Sequence, residues 1–287
     1  MGKNRGDRIF HAINAIIMIA LVAVFILPFW LVFSGSVTGE SYLQTQGVTF
    51  AIHGFNLDGF RLLFSANDKF LRSMIFTLAI SFFSAFLVTF TAGICAYALS
   101  KKYLVGRKVF NWLIWTTGVF NGGMIPTYLL YRTLGWYDTV WVLILPLVAN
   151  SYNILLLRNY FYSLPTTLEE SASLDGANDW QIMRKIFMPL SYPMLFTIAL
   201  MTFVGRWNGW MDALLYTRPN NESLWTLQYL LQKILTNSSA LFGGDPNAPL
   251  LQLENVAFIV TVIPLVCLSP ILQKYFTKGL TMGAVKG

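Results

Sequence analysis

The sequence predicts an all-α protein that crosses a membrane several times. Hydrophobic residues make up 55% of its 287 residues and charged residues only 11%, whereas a typical soluble domain has about 25% charged residues. Apolar runs recur that are long enough for a helix of about 20 residues to cross a ~30 Å hydrocarbon core. The runs do not alternate polar with apolar residues, as the strands of an outer-membrane barrel would.

Six spans are predicted, within a single membrane domain that covers residues 1–287. The predicted spans are 9–33, 74–99, 110–130, 140–163, 191–215 and 253–272. Hydropathy supports the fifth span least, because it contains Arg206 and Asp212. The first apolar run is longer than the h-region of about 7 to 15 residues in a signal peptide, so we expect an uncleaved anchor, with cleavage near Ser34 as the alternative.

The distribution of cations orients the chain. With the N-terminus inside, most of the 20 Lys and Arg residues fall in inner segments, above all in the short loop "KKYLVGRK". Because basic residues stay on the cytoplasmic side, both termini are predicted to be cytoplasmic. This topology accounts for the net charge of +7 and requires no nucleic acid partner.

Motifs for chemistry within the chain are missing from the sequence. Cys95 and Cys267 lie in apolar spans, where a free cysteine behaves as a small hydrophobe. His11 and His53 have no further ligands at metal-binding spacing. There is no G-x-x-x-x-G-K-[ST], G-x-S-x-G or H-E-x-x-H motif. We therefore expect no catalytic residue, metal site or cofactor in this chain.

Residues 164–190 interrupt the apolar sequence with a polar segment that the topology places in the cytoplasm. Thr166 and Glu169 have the spacing of a capping box, with Thr167 and Glu170 as the alternative register. The first helix is predicted to end at Asp175-Gly176, where glycine supplies a left-handed residue.

A second helix is predicted to begin at Asn178 or Asp179 and to end at Pro189. Its apolar residues recur with the period of one helical face. They are Met183, Ile186, Phe187 and Leu190. We call 164–190 the elbow; the alternative interpretation is a long amphipathic loop that lies on the lipid headgroups.

The elbow sequence "LEESASLDGANDWQIMRKIFMPLSYP" resembles the EAA motif of binding-protein-dependent ABC importer permeases. The residues in register are Glu170, Ala172, Asp175, Gly176, Ala177, Ile186, Pro189 and Leu190. Ser171 replaces the usual first alanine of the motif. The stretches "NGGMIPTYLL", "GRWNGWMDALLY" and "QKYFTKGLTMGAVKG" are similar to the carbohydrate-uptake branch on the maltose-permease G-subunit side, and most of all to oligosaccharide and aldouronate permeases. The similarity covers residues 5–287.

The resemblance implies a type I ABC importer permease fold and a subunit that forms half of the translocation pore of a sugar importer, with oligosaccharide as the expected cargo. It implies that the elbow docks on a separate ATPase. The coupling residues would be Glu169, Glu170, Ala172, Asp175, Gly176, Ala177, Ile186 and Pro189. In a similar way the cytoplasmic tail, 273–287, would reach between the ATPase subunits. The tail contacts would be Phe276, Lys278, Gly279 and Leu280.

The partners that the resemblance implies are a homologous second permease, forming a heterodimer, and two ATPase subunits that bind ATP and Mg. An extracytoplasmic solute-binding protein would dock on the long outer segments, 34–70 and 216–252. Within the latter, "LWTLQYLLQKIL" has one apolar helical face and is predicted to lie along the membrane surface. The expected location is the bacterial cytoplasmic membrane, in contact with lipid.

Polar residues within the spans are candidates to line the transport pathway, because they are costly in lipid and face a bundle interior or a water-filled cavity. The candidates are Asn150, Asn153, Arg206, Asn208 and Asp212. The alternative is that they connect helices. A channel or secondary transporter would not need the elbow. A membrane-embedded enzyme would need a titratable pair, and Arg206 and Asp212, six residues apart, are predicted to lie on nearly opposite sides of one helix.

Overall fold

A computed structural model describes residues 5–65, 68–242 and 248–284, and this part of the chain forms helices and loops without a β-strand. The all-α prediction is therefore confirmed. The chain divides into two compact units. The first contains the described residues up to Phe70 together with Leu231–Ile263, and the second contains Leu71–Leu230 and the described residues from Pro264 onward.

The helices follow one another in chain order. The first five are α1 (Arg5–Val37), α2 (Glu40–Gln46), α3 (Asp58–Ser65), α4 (Lys69–Ser100) and α5 (Arg107–Val119). They are followed by α6 (Met124–Thr133), α7 (Val140–Val148) and α8 (Ser151–Tyr162). The elbow comprises α9 (Thr166–Leu174), α10 (Asp179–Ile182), a π-helical turn (Met183–Phe187) and α11 (Met188–Leu190). The remaining elements are α12 (Tyr192–Trp207), α13 (Met211–Tyr216), a 3₁₀ turn (Glu222–Leu224), α14 (Leu227–Phe242) and α15 (Leu250–Ala284).

In the first unit, polar side chains fix the start of α15. The Glu40 carboxylate accepts hydrogen bonds from the backbone N–H groups of Leu251 (3.1 Å) and Gln252 (2.9 Å). A negative charge is favourable there because the first N–H groups of a helix lack partners within it. The Gln252 side chain is fully buried, donates to the Ser36 carbonyl (3.1 Å) and accepts from the Gly59 N–H (2.8 Å). This buried amide therefore holds three elements of the unit together.

Four described helices are long and apolar enough to cross a membrane. They are Ile9–Val37, Lys69–Ser100, Val140–Tyr162 and Leu250–Pro270. A fifth candidate is a bent pair, Asp179–Leu190 with Tyr192–Trp207, which changes direction by 77°. Pro193 lies in the first turn after the bend, where its missing N–H removes no helical hydrogen bond. A straight helix through this point would bring the Pro193 ring against the carbonyl of residue 189.

The predicted span 110–130 contains two helices rather than one. Residues 120–123 separate α5 from α6, and Gly123 has φ +90°. The side chain of Asn121 accepts a hydrogen bond from the Gly123 N–H at 2.9 Å, which satisfies a donor freed by the break. Each half alone is shorter than a bilayer crossing requires. The six-span count therefore stays a prediction.

The apolar face of "LWTLQYLLQKIL" packs in protein instead of being left free for lipid. Most of this segment forms the start of α14, and Leu235 is exposed. The buried residues are Leu227, Leu230, Leu231 and Ile234. A helix with one apolar stripe is stabilised equally by a protein core or by a membrane surface, and the sequence pattern does not distinguish between them.

Candidate functional site

The elbow of the second unit turns at Gly176 through a complete Schellman motif. The Ala177 N–H donates to the Ala172 carbonyl (2.9 Å), and the Gly176 N–H donates to the Ser173 carbonyl (3.1 Å). Gly176 has φ +83°, which is the left-handed conformation that this motif requires. Ala172 and Ala177 are both partly buried against the apolar core of the unit. The predicted end of α9 at Asp175-Gly176 is confirmed.

The second helix of the elbow begins with a capping box. Asn178 accepts a hydrogen bond from the Gln181 N–H at 2.9 Å, and the Gln181 side chain accepts one from the Asn178 N–H at 3.0 Å. Each side chain satisfies a backbone donor that the helix leaves free. The prediction that Asn178 or Asp179 caps this helix is therefore confirmed for Asn178, and the helix itself begins at Asp179.

The capping box predicted at the start of α9 is wrong in both registers. The N-cap position is Pro165, so Thr166 is already helical, and no side chain caps this end. Glu169 does not fold back onto the backbone, because its carboxylate is paired with Lys101 at 2.7 Å.

Lys101 fastens the elbow to the end of α4. Its ammonium group is 5% exposed and lies 4.1 Å from the centre of the Tyr97 ring and 4.3 Å from that of Phe187. Aromatic faces attract a desolvated cation, and the Glu169 carboxylate balances its charge. Sequence reasoning treated Lys101 only as a topology signal and missed this role. The signal available was a lysine placed directly after an apolar span, four residues after Tyr97.

The apolar stripe of the second elbow helix is only partly as predicted. Met183 and Phe187 are buried in the core, Ile186 is partly buried and Leu190 is exposed. Residues 183–187 form a π-helical turn, with wider spacing than the 3.6-residue period on which the stripe was based. The helix also continues one residue beyond Pro189, to Leu190.

Several elbow residues face away from the core. Glu170, Gly176 and Asp175 are exposed, and Leu174 is 89% exposed at the end of α9. Glu170 also lines a cleft of about 730 Å³ formed by α9, the end of α8 and the loop after α4. An apolar side chain as exposed as Leu174, beside carboxylates on a well-ordered turn, is suited to contact another protein.

Tyr103 provides a second link between the loop after α4 and the elbow. Its hydroxyl donates to the Asp179 carboxylate at 2.5 Å. Burial raises the pKa of the Tyr103 phenol, and the hydrogen bond and negative charge of Asp179 raise it further. The phenol therefore remains a hydrogen-bond donor throughout the physiological pH range.

Three of the five candidate pathway residues line one cavity in the second unit. Asn150, Asn153 and Arg206 border a cavity of about 300 Å³, together with Tyr152 and Thr202. Asn208 lies elsewhere: its amide donates to the Val204 carbonyl at 3.0 Å. The cavity lies between α4, the junction of α7 with α8, and α12.

The predicted separation of Arg206 and Asp212 is wrong. Arg206 Nη2 lies 2.5 Å from Asp212 Oδ2. Residues 208–210 are not helical, so the chain turns after α12 and brings Asp212 back to the arginine. The Arg206 side chain is 4% exposed and that of Asp212 is 40% exposed. Asp212 thus does not line the cavity but holds the group that does.

The described residues contain two unpaired cysteines and no cluster of metal-binding side chains. Cys95 and Cys267 are free cysteines. Within residues 5–65, 68–242 and 248–284, no group of three His, Cys, Asp or Glu side chains is placed to hold a metal ion.

Comparison with known proteins gives the family. Residues 1–282 match the family described as binding-protein-dependent transport system inner membrane component. The chain therefore belongs to this family and is a membrane permease subunit of a binding-protein-dependent ABC transport system.

Individual relatives agree over nearly the whole chain. The polygalacturonan/rhamnogalacturonan transport system permease protein YtcP of Bacillus subtilis is 36% identical over 95% of this chain and 96% of its own. Protein LplC of the same organism is 34% identical over 100% and 98%. A crystal structure of a bacterial ABC transporter involved in the import of the acidic polysaccharide alginate matches with TM-score 0.81 and 32% identity, over 96% of this chain and 99% of the other. The type I ABC permease fold is thus confirmed.

Proposed function

We propose that this protein is the transmembrane permease subunit of an ATP-driven, binding-protein-dependent importer of carbohydrate, with an oligosaccharide as cargo. The full-length family match carries this proposal. It is supported by relatives whose names refer to polygalacturonan, rhamnogalacturonan and alginate transport. The subunit forms half of the translocation pore.

The elbow couples the pore to the ATPase. Glu170, Asp175 and Gly176 are exposed, which suits direct contact with the ATPase surface. Glu169, Ala172 and Ala177 support the contact indirectly, because they hold the elbow to the core. Ile186 and Pro189, both partly buried, join the elbow to α12.

The assembly contains a second, homologous permease, two ATPase subunits and an extracytoplasmic solute-binding protein. ATP and Mg bind to the ATPase subunits, and this chain contributes no catalytic residue and no cofactor. The subunit lies in the bacterial cytoplasmic membrane, with six spans and both termini in the cytoplasm. The charge-poor helices and the basic loop after α4 support this arrangement.

The tail inserts between the ATPase subunits. Its backbone continues α15 as far as Ala284, and a helical rod suits insertion. The side chains of Phe276, Lys278, Gly279 and Leu280 lie outside the part whose surroundings are described. Deleting residues 278–287 should leave membrane insertion intact and reduce the amount of ATPase that copurifies. Full ATPase stoichiometry with normal transport would contradict the insertion.

Transport by the reconstituted complex tests the function. Proteoliposomes that contain this subunit, the second permease and the ATPase should take up an oligosaccharide only with ATP inside and the binding protein outside. An ATPase variant without hydrolysis is the control. Uptake that persists without ATP would instead indicate a channel or secondary transporter, and chemical conversion of the sugar would indicate an enzyme.

Cysteine labelling tests the orientation. In a chain with Cys95 and Cys267 replaced by alanine, a cysteine at Ser173 should react with an impermeant reagent only from the cytoplasmic side. A cysteine at Asn220, in the predicted outer segment, should react only from outside. The reverse pattern would place the elbow outside the cytoplasm, where it could not contact the ATPase.

A further inference from the structure

The cavity beside Arg206 has the composition of a binding site rather than of a packing defect. Its volume of about 300 Å³ lies at the lower end of the range for small-molecule sites. Asn150, Tyr152 and Gly205 are exposed, so the cavity is open on that side. A polar opening within a membrane domain faces a bundle interior or a water-filled pathway rather than lipid.

Arg206 borders this cavity and carries buried hydrogen-bond donors that have no partner among the described residues. Its Nη2 is paired with Asp212, whereas its Nε and Nη1 are buried and have no hydrogen-bond partner among the described residues. The Thr202 hydroxyl, also at the cavity, is buried and unpartnered within the same part of the chain. A buried guanidinium N–H without an acceptor is costly. These donors are therefore suited to an acceptor that enters from outside the chain.

The start of α8 contributes a second source of positive potential. Asn150 is the N-cap of this 12-residue helix, and Asn150, Tyr152 and Asn153 all line the cavity. The N-terminus of a helix presents free N–H groups and the positive end of its dipole, which favours an anion. At the other side of the break, the Val148 carbonyl accepts from the Thr91 hydroxyl at 2.7 Å, which partly offsets the negative end of α7.

We propose that this cavity binds the carboxylate of an acidic sugar unit, between the Arg206 guanidinium and the N-terminus of α8. Bidentate recognition by a guanidinium fits a planar carboxylate better than a hydroxyl. The Tyr152 ring provides an apolar face for the sugar ring. This inference rests on the proposed carbohydrate import and adds that this subunit contacts the cargo and prefers uronate-containing oligosaccharides.

The test measures binding without transport and without the solute-binding protein. A cysteine replaces Met201, which lines the cavity and is exposed, in the purified permease–ATPase complex, in a background with Cys95→Ala and Cys267→Ala. Its alkylation rate is measured with trigalacturonate and with the same trisaccharide after reduction of its carboxylates to alcohols. Trigalacturonate should slow alkylation, and the reduced sugar should need a concentration about tenfold higher or more for the same protection.

Three variants assign the effect to the guanidinium. Arg206→Gln should abolish the difference between the two sugars. Asp212→Asn keeps an amide oxygen that can accept from Nη2 and so still holds Arg206, but it removes the competing negative charge, so it should preserve or strengthen protection by trigalacturonate. Arg218→Gln is the matched control, because Arg218 also meets a carboxylate, that of Asp138 at 3.4 Å, but is exposed and lies outside the cavity lining.

Equal protection by both sugars in the unsubstituted complex, or none by either, would overturn the proposed site. Loss of protection in Asp212→Asn would overturn it as well, and this variant retains the arginine if Arg206→Gln fails to assemble. Neither of these results would contradict the proposed function, which is tested separately by ATP-driven uptake of sugar in proteoliposomes. Failure of that uptake would contradict the proposed function alone, since alkylation requires no transport.

Discussion

Lys101 beside the elbow and Arg206 beside the cavity are both buried cations that meet one partly exposed carboxylate. Lys101 is paired with Glu169 and Arg206 with Asp212. The two sites differ in what surrounds the rest of the cation. The rings of Tyr97 and Phe187 enclose the Lys101 ammonium group, whereas two nitrogens of Arg206 remain without a partner in the described part of the chain.

This difference separates a structural ion pair from a binding group. Removing a charge from water is costly in both places, and the carboxylate offsets only part of the cost. At Lys101 the rings of Tyr97 and Phe187 offset part of the remainder. At Arg206 the remaining donors are left to an incoming acceptor. Burial of a charge alone therefore does not identify a functional site.

The largest effect is expected from Glu170→Lys, one residue from the structural Glu169. Glu170 is exposed, so charge reversal should leave folding and membrane insertion unchanged while it abolishes transport. The measurement is substrate-stimulated ATP hydrolysis by the purified complex. Glu170→Gln is the control and should retain part of the activity, since it removes the charge without reversing it. Hydrolysis at the unsubstituted level in Glu170→Lys would contradict the coupling role.

The next largest effect concerns stability and comes from Glu169→Gln. The Lys101 ammonium group would remain buried without its carboxylate, which should destabilise the protein by about 3 kcal/mol. The thermal unfolding midpoint of the complex in detergent would report this loss. The double variant Lys101→Met with Glu169→Gln should recover much of it, because it buries no charge. If the loss in the double variant equals the sum of the losses in Lys101→Met and Glu169→Gln, the two residues are not coupled.

A smaller effect is expected from Gly176→Ala, which tests the turn itself. A Cβ at φ +83° costs roughly 1 kcal/mol, although no atom of the described residues lies within 4 Å of it. Gly135→Ala is a matched control, because Gly135 also closes a Schellman motif, with φ +70° and equally open surroundings. Both variants should lose similar thermal stability, but only Gly176→Ala should raise the number of ATP molecules hydrolysed per molecule transported. If both variants hydrolyse the same amount of ATP per molecule transported, the turn at Gly176 does not serve the coupling function.

The smallest effect is expected from Tyr103→Phe, which removes the hydroxyl that donates to Asp179. A hydrogen bond at an exposed position contributes about 0.5 kcal/mol, so the thermal midpoint should shift only slightly. Hydrogen exchange of the elbow amides should increase more clearly than the global stability falls. Unchanged exchange at residues 178–182 would show that this link does not hold the elbow.

The elbow was predictable where short-range rules determine it. Gly176 and Asn178 act through backbone atoms at most five residues away, so their sequence spacing contains the information. Pairing of Glu169 with Lys101 overrode the predicted capping box, because a partner 68 positions earlier in the chain is invisible to a local pattern.

The cavity was less predictable because it depends on breaks within the spans. Hydropathy identifies apolar segments but contains no backbone dihedral angles, so the breaks at 149–150 and 208–210 were missed. Both breaks have a local cause: Asn150 is the N-cap of α8, and glycine at position 209 weakens a helix. The consequence of the second break, the approach of Arg206 to Asp212, is a tertiary contact. The sequence therefore supplied three of the cavity residues, Asn150, Asn153 and Arg206, and the wrong relation between Arg206 and Asp212.

The π-helical turn at Met183–Phe187 affects how the helices on its two sides are rotated about the helix axis. A π turn contains about one residue more than an α turn, and each residue of an α-helix advances by about 100° around its axis. Converting this turn to α geometry would therefore rotate α10 against α11 by roughly 100°. Phe187 lies at the end of the turn and against Lys101. Any change in the winding of this turn would therefore move a ring that packs on the Lys101–Glu169 ion pair.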